Sequence, residues 1–102
     1  MANHYEIPLS ADAQRFKVLL SGVEYQMTLI YRPVAGWVLD IANKQGAPMV
    51  SGIPLVTGAD LLAQYKHLGF SGRLWVRGSI DPDDVPTFEN LGSESFLFWV
   101  TD

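Results

Sequence analysis

The chain has 102 residues, of which 48% are hydrophobic and 12% aromatic, and its 11 acidic and 7 basic side chains leave a formal charge of −4. This length predicts one domain over residues 1–102 with one buried core, and the acidic balance gives no general attraction to nucleic acid or anionic membranes. The absence of cysteine excludes disulfides, thiolate nucleophiles and Cys-based zinc or iron–sulfur sites. We therefore expect a soluble protein made in a cytosol, with no membrane span.

The first half of the chain predicts antiparallel strands. A short strand over residues 5–9 precedes a hairpin whose first arm, residues 15–20, alternates basic and apolar side chains and ends at Ser21-Gly22. The second arm, residues 23–31, and a third strand, residues 37–42, alternate in the same way. Residues 48–56 are apolar but contain Gly52 and Pro54, so we expect an irregular or edge strand there.

The second half predicts one helix and two more strands. A helical stripe formed by Leu61, Leu62, Tyr65 and Leu68 predicts a short helix over residues 58–68. We expect Thr57 to cap it, with Asp60 at its third position, and Gly69 to end it. Strands over residues 73–77 and 95–100 follow, separated by a long loop over residues 78–93. The predicted fold is mainly β or α+β, a small antiparallel barrel or two-layer sandwich with the helix on its flank.

The long loop carries an acidic cluster that could be taken for a calcium site. Hard cations take several carboxylate oxygens, and the cluster consists of Asp81, Asp83, Asp84 and Glu89. However, Val85 and Pro86 stand where a calcium-binding loop needs a ligand and the turn glycine. We therefore expect a solvated turn and no metal site.

Catalytic and cofactor signatures are equally weak. His4 lies near the start of the chain, and His67 lies at the end of the predicted helix, where a cation suits the helix dipole. The sequence contains no nucleophile elbow, and Gly69 to Gly72 follow a helix, whereas a phosphate loop precedes one. These residues predict neither an enzyme nor a bound cofactor.

The last two strands carry the candidate contact residues. Two arginines flanking a tryptophan could form a stacking platform for single-stranded nucleic acid or sugar, but in an acidic domain they favour a protein interface. The last strand is apolar on both faces, and a small sheet has too little neighbouring structure to cover both of them. The candidate interface residues are Arg73, Trp75, Arg77, Phe96, Phe98 and Trp99, together with the loop residues Asp81, Asp83 and Asp84 as a tether to a neighbour.

Several blocks of the sequence resemble the small baseplate plug family of contractile-tailed bacteriophages. They are IPL at residues 7–9, WxLDI at residues 37–41 with a following Gly46, and GIPLVxGxDLL at residues 52–62. The ending PTFxNLG at residues 86–92, followed by an apolar strand, resembles the family's terminal signature. One departure is the insertion of residues 83–85 between two prolines, where the family pattern leads to a direct Asp-Pro-Thr.

The resemblance implies a virion structural protein and not an enzyme. It implies a place on the axis of a contractile myovirus tail, where the protein joins the tail tube or tube initiator to the central hub and spike. It further implies that the protein is synthesised in the bacterial host cytoplasm and forms a homo-oligomeric ring of six or three copies in the tail baseplate. The residues alone leave open a β-domain that binds a carbohydrate or other small ligand on the Trp37 or Trp75 face, and a hydrolase would require a cleft with a perturbed titratable group.

Overall fold

The computed structural model describes residues 3–33, 36–78, 81, 83, 86–87 and 89–101. Seven strands and one short 3₁₀ helix make up its regular structure. The strands are β1 (Asn3–Ile7), β2 (Gln14–Leu20), β3 (Val23–Arg32), β4 (Gly36–Asn43), β5 (Pro48–Pro54), β6 (Arg73–Gly78) and β7 (Ser95–Thr101). The helix spans Ala63–Leu68.

The strands form two separate antiparallel sheets. One has four strands in the order β2-β3-β4-β5, and the other has three in the order β1-β7-β6. The sheets pack their apolar faces together around a core that includes Met27, Leu39, Leu62 and Leu97. The prediction of a mainly β sandwich is confirmed, and the barrel alternative is wrong, because no pairing between β1 and β2 closes the sheets within the described residues.

The predicted hairpin between β2 and β3 is confirmed. Leu20 pairs with Val23 across a two-residue turn, where Ser21 has a φ of 52° and Gly22 a φ of 81°. Two successive positive φ angles give a turn whose twist matches that of antiparallel strands, and glycine adopts this conformation without steric cost. Alternate residues of β3 are buried, so the strand period predicted from the sequence holds through its centre.

The positions of proline and glycine explain the irregular pairing of the edge strand β5 and the end of the first strand β1. β5 lies at the edge of its sheet as predicted, and its pairing with β4 contains register shifts. Gly52 has a φ of 78°, and its N–H donates to the Asp40 carboxylate at 2.7 Å. β1 ends at Ile7, two residues before the predicted end, because Pro8 cannot donate to the ladder.

The predicted helix over residues 58–68 is wrong in type and start. The structure has a 3₁₀ helix of six residues, Ala63–Leu68, which is kinked at Tyr65 and which Gly69 ends with a φ of 89°, as predicted. Thr57 does not cap it, since it forms a parallel bridge with Val76 of β6. Residues 57–62 contact β6 through this bridge and through the Leu61 N–H, which donates to the Leu74 carbonyl oxygen at 2.9 Å, instead of winding into a helix. Among the described residues, no helix is long and apolar enough to cross a membrane.

Candidate functional site

Three strands build one face of the smaller sheet, which we call the outer face. In the register of β6 with β7, Trp75 lies opposite Phe98, and Arg77 lies opposite Phe96. In the register of β1 with β7, Glu6 also lies opposite Phe98, which puts it on the same face. Because side chains alternate along a strand, Arg73 and His4 belong to this face as well. The interior of the sandwich lies against the other face of the sheet.

The outer face contains an open groove of about 520 Å³, which we call the aromatic groove. It is lined by His4, Gly58, Arg73, Trp75, Val76, Arg77, Asp83, Phe98 and Val100. Trp75 and Phe98 in its lining are half-buried, so part of each ring packs against the protein while the rest remains accessible. Phe96 extends the aromatic surface, with its ring centroid 6.5 Å from that of Phe98 at an interplanar angle of 55°.

The charges around the groove are mixed, with arginine prominent. Arg73 is half-buried, and Arg77 and His4 are exposed, while Asp83 is the acidic side chain in the lining. Arg77 has no ion-pair partner among the described residues. Aromatic rings and arginine are the residue types that are enriched where proteins contact one another. The groove therefore has the composition of a docking surface.

The described part of the long loop is fastened to the domain beside this groove. The Thr57 hydroxyl donates to the Asp83 carbonyl oxygen at 2.8 Å, and the Asp83 N–H donates to the Asp81 carboxylate at 3.0 Å. Asp84, the third predicted tether residue, lies outside the described residues. No group of three or more His, Cys, Asp or Glu side chains among the described residues could hold a metal ion.

Trp99 does not join the other predicted contact residues. It lies on the opposite face of β7, is 1% exposed, and donates from its indole Nε1 to the Ser21 hydroxyl at 3.0 Å. Gly72 packs flat against this ring, and an added Cβ there would lie 2.6 Å from it. Trp99 is thus a core residue, and the outer face includes the other strand residues predicted for it.

Trp37 is also a core residue, which removes one of the two faces considered for a small ligand. It is 1% exposed, and its indole Nε1 donates to the Thr87 carbonyl oxygen at 2.9 Å. The Thr87 N–H in turn donates to the Asn90 side chain at 2.7 Å. Trp37 and Asn90 belong to two different blocks of the family resemblance, so these blocks hold the ending loop against the larger sheet.

Sequence reasoning missed the contribution of β1 to the site. His4 lines the groove and Glu6 lies on the same face, yet neither residue was assigned there. The first and last strands are neighbours in the sheet although they are far apart in the chain. Strand periodicity gives the face of each side chain but not which distant strand lies next to it, so no signal in the single sequence could have placed them.

The fold and this face together define a small β-sandwich whose smaller sheet carries a groove lined by aromatic and arginine side chains. A family model described as the cyanophage baseplate Pam3 plug gp18 matches residues 4–102, and the chain belongs to this baseplate plug family. No curated protein matches the chain. The resemblance drawn from the sequence is therefore confirmed.

Family membership makes the chain a structural protein of a phage baseplate, located in the virion tail, that interacts with other baseplate proteins. A structural family of this kind indicates a non-enzymatic protein.

Proposed function

We propose that the protein is an axial adaptor of a contractile tail baseplate. In this proposal, several copies form a ring that joins the tail tube or tube initiator to the central hub and spike. The ring is displaced or opened when the tail contracts. The observation that carries the proposal is the aromatic groove, because a structural protein of a baseplate needs a shaped and ordered surface for its neighbour.

The physical basis is the combination of apolar area and rigidity at the outer face. Trp75 and Phe98 sit on paired strands, so little side-chain entropy is lost when a partner covers them. Arg77 at the rim can pair with a carboxylate of the partner, and charge-assisted contacts of this kind fix the register of an interface. The loop residues Asp81 and Asp83 lie near enough to the groove to take part as a second point of contact.

A ring of copies suits such a modest surface. One groove provides only a few anchor residues, but identical contacts repeated around a closed ring act together and raise the overall affinity. We propose six copies, matching the sixfold symmetry usual for contractile tubes, with three as the alternative beside a trimeric hub.

Mutation of the groove in the phage tests this function. In phage carrying Trp75→Ala or Arg77→Glu, we expect a several-fold loss of the protein from purified tails and a matching loss of infectivity. Lys44→Glu reverses an exposed charge on the turn after β4 and serves as the matched control for Arg77→Glu. Thermal unfolding of each purified variant separates weakened docking from a weakened fold.

Quantitative mass spectrometry of purified virions provides the second readout. We expect a copy number of six or three for each tail. Absence of the protein from purified virions, or normal incorporation of both groove variants, would contradict the adaptor proposal.

The groove also favours one other class of function, the binding of a carbohydrate by stacking on Trp75. A sugar that binds only the folded protein must raise its melting temperature by mass action. A melting-temperature increase in a panel of host cell-wall sugars that Trp75→Ala abolishes would support this second candidate. An unchanged melting temperature across the panel would remove it.

A further inference from the structure

The aromatic groove has a regular pattern of charge along β6. Arg73, Trp75 and Arg77 occupy alternate positions of this strand and share the outer face, so their order is cation, aromatic ring, cation. Alternate residues of a strand are about 6.7 Å apart, which puts the two arginines roughly 13 Å apart along β6. An extended segment lying over the groove has side chains with the same period. One such segment can therefore meet all three residues.

Arg77 also lines a smaller hollow of about 170 Å³, together with His4 and Phe98. The three residues come from the three strands of the sheet, with Phe98 on the central strand β7. A guanidinium carries five N–H donors and an imidazole at least one. No acidic side chain among the described residues lines the hollow. Donors of this kind beside an aromatic ring suit a carboxylate whose neighbouring apolar group lies on the ring.

The acidic side chains near the groove do not cancel its positive charge. Asp83 is the acidic residue of the lining, against two arginines. Glu6 lies on the outer face but on β1, two strands and roughly 10 Å from β6, and it does not line the groove. The whole chain has a formal charge of −4, so the groove differs in sign from the molecule that carries it. Charge complementarity therefore favours an acidic partner.

We propose that the aromatic groove binds an extended acidic segment of another baseplate protein. An apolar side chain of this segment contacts Trp75 and Phe98, and acidic side chains two residues before and two residues after it reach Arg73 and Arg77. The inference rests on the proposed function, which it deepens by giving the chemistry of the partner. The pattern is acidic, any residue, apolar, any residue, acidic, and it is the same in both chain directions.

The sequence of this chain excludes a second copy as the source of the segment. No two of its 11 acidic residues are four positions apart, so no extended segment of a copy can reach both arginines with carboxylates. Single-stranded nucleic acid is also disfavoured, because neutralising a run of phosphates takes more cationic side chains than line the groove. The occupant that fits is a different protein with a short, doubly acidic segment.

Two peptides of identical composition test the pattern. The probe is a fluorescein-labelled, end-capped peptide of sequence Gly-Glu-Thr-Leu-Thr-Glu-Gly. The control is Gly-Thr-Glu-Leu-Glu-Thr-Gly, whose acidic side chains point away from the face that presents the leucine when the peptide is extended. We expect fluorescence polarisation at low salt to show several-fold tighter binding of the probe. Equal affinities for the two peptides would overturn the proposal.

Charge reversal in the protein provides an independent readout. Arg77→Glu should weaken binding of the probe several-fold, and a peptide with one glutamate replaced by lysine should recover the loss. Recovery of this kind requires a direct contact, which a damaged fold would not supply. Lys44→Glu makes the same charge change at an exposed turn and should leave binding unchanged. Equal weakening by both variants would show that net charge controls binding, and it would contradict the proposal.

Competition identifies the class of ligand. Unlabelled probe peptide should displace the labelled one, and single-stranded oligothymidine should not. Displacement by the oligonucleotide at the lower concentration would replace the acidic segment with nucleic acid. Failure of the segment is distinguishable from failure of the adaptor function. Groove variants that are lost from tails although the protein does not distinguish the two peptides reject the segment alone, whereas a protein that prefers the probe but is absent from purified virions rejects the adaptor function alone.

Discussion

At the scale of single residues, a few polar side chains join segments that are distant in the chain. Asp60 shows this most clearly. Its Oδ1 accepts the N–H groups of Leu62 at 2.9 Å and of Leu74 at 3.1 Å, and its Oδ2 lies 3.2 Å from the Lys66 ammonium. One carboxylate therefore holds residues 60–62 against β6 and also satisfies backbone donors that would otherwise be unpaired.

Replacement of Asp60 by alanine is expected to be costly for this reason. Two backbone N–H groups lose a charged acceptor, and the free energy of unfolding should fall by about 2–3 kcal/mol. Denaturant titration measures the change. Lys66→Ala is the control, since the ammonium is about half-exposed and an exposed ion pair contributes less than about 1 kcal/mol. Equal losses in the two variants would show that the ion pair, and not the backbone contacts, accounts for the contribution of Asp60 to the free energy of unfolding.

Tyr25 gives a prediction about alkaline pH. Its ring is buried in the core against Phe70, with ring centroids 5.5 Å apart, and burial raises the pKa of the phenol above its ordinary value. Below pH of about 10 the phenol is neutral in both the folded and the unfolded state. Above that pH the unfolded chain releases the proton first, so stability falls as pH rises towards the pKa of the folded protein.

Tyr25→Phe removes this ionisation and should make the loss of stability above pH of about 10 less steep than in the native chain. Urea unfolding at several pH values between neutral and strongly alkaline gives the two slopes. Identical slopes for Tyr25→Phe and the native protein would show that the phenol does not contribute to alkaline unfolding.

At the scale of elements, residues 57–62 act as a cover for β6, and Leu62 anchors that cover in the core. Leu62 is 0% exposed, so Leu62→Ala should lower the free energy of unfolding by about 2–5 kcal/mol through lost burial and a residual cavity. Gln64→Ala, at an exposed position two residues later, should change it by less than about 0.5 kcal/mol. Chemical denaturation compares the two. A surface-like loss for Leu62→Ala would mean that the cover does not pack as described.

Most strands could be predicted from the sequence, because a half-buried strand imposes a period of two that few other structures share. The alternation in β3 and β4 was sufficient to place both strands and to orient their buried faces. The helix was misjudged for a related reason. Leucines spaced along residues 61–68 suit a helix, but a covering segment that inserts Leu61 and Leu62 into the core needs the same residue types.

The candidate site was predictable only in part, for the same physical reason. Alternation on β6 correctly put Arg73, Trp75 and Arg77 on one face. On β7 every residue from Phe96 to Val100 is apolar, so polarity could not show which face is buried, and Trp99 was assigned to the surface together with Phe98. The partnership of β1 with β7 depends on long-range packing, which periodicity does not encode.

At the scale of the whole molecule, the sandwich is closed at one corner and open at the other. Where β5 meets β6, residues 57–62 link the two sheets, and the Thr57 bridge to Val76 continues that link. Where β1 meets β2, residues 8–13 join the two strands, but no bridge among the described residues joins their edges, and core side chains line a cleft between them. The outer face with its groove adds a separate surface on the smaller sheet. The described part of the molecule therefore has two distinct concave regions, the groove on the outer face and the cleft between β1 and β2.

This division predicts the behaviour of Leu19→Lys. A lysine at this exposed position of an open edge strand opposes pairing with another chain, as in natural edge strands that avoid aggregation. We expect the concentration needed for self-association, measured by analytical ultracentrifugation, to rise several-fold while the free energy of unfolding changes by less than about 0.5 kcal/mol. Val56→Lys adds the same charge at an exposed apolar site outside β2 and should leave self-association unchanged. If both lysine variants weaken self-association equally, net charge and not the edge of β2 controls it, whereas an effect confined to Leu19→Lys assigns the contact between copies to β2.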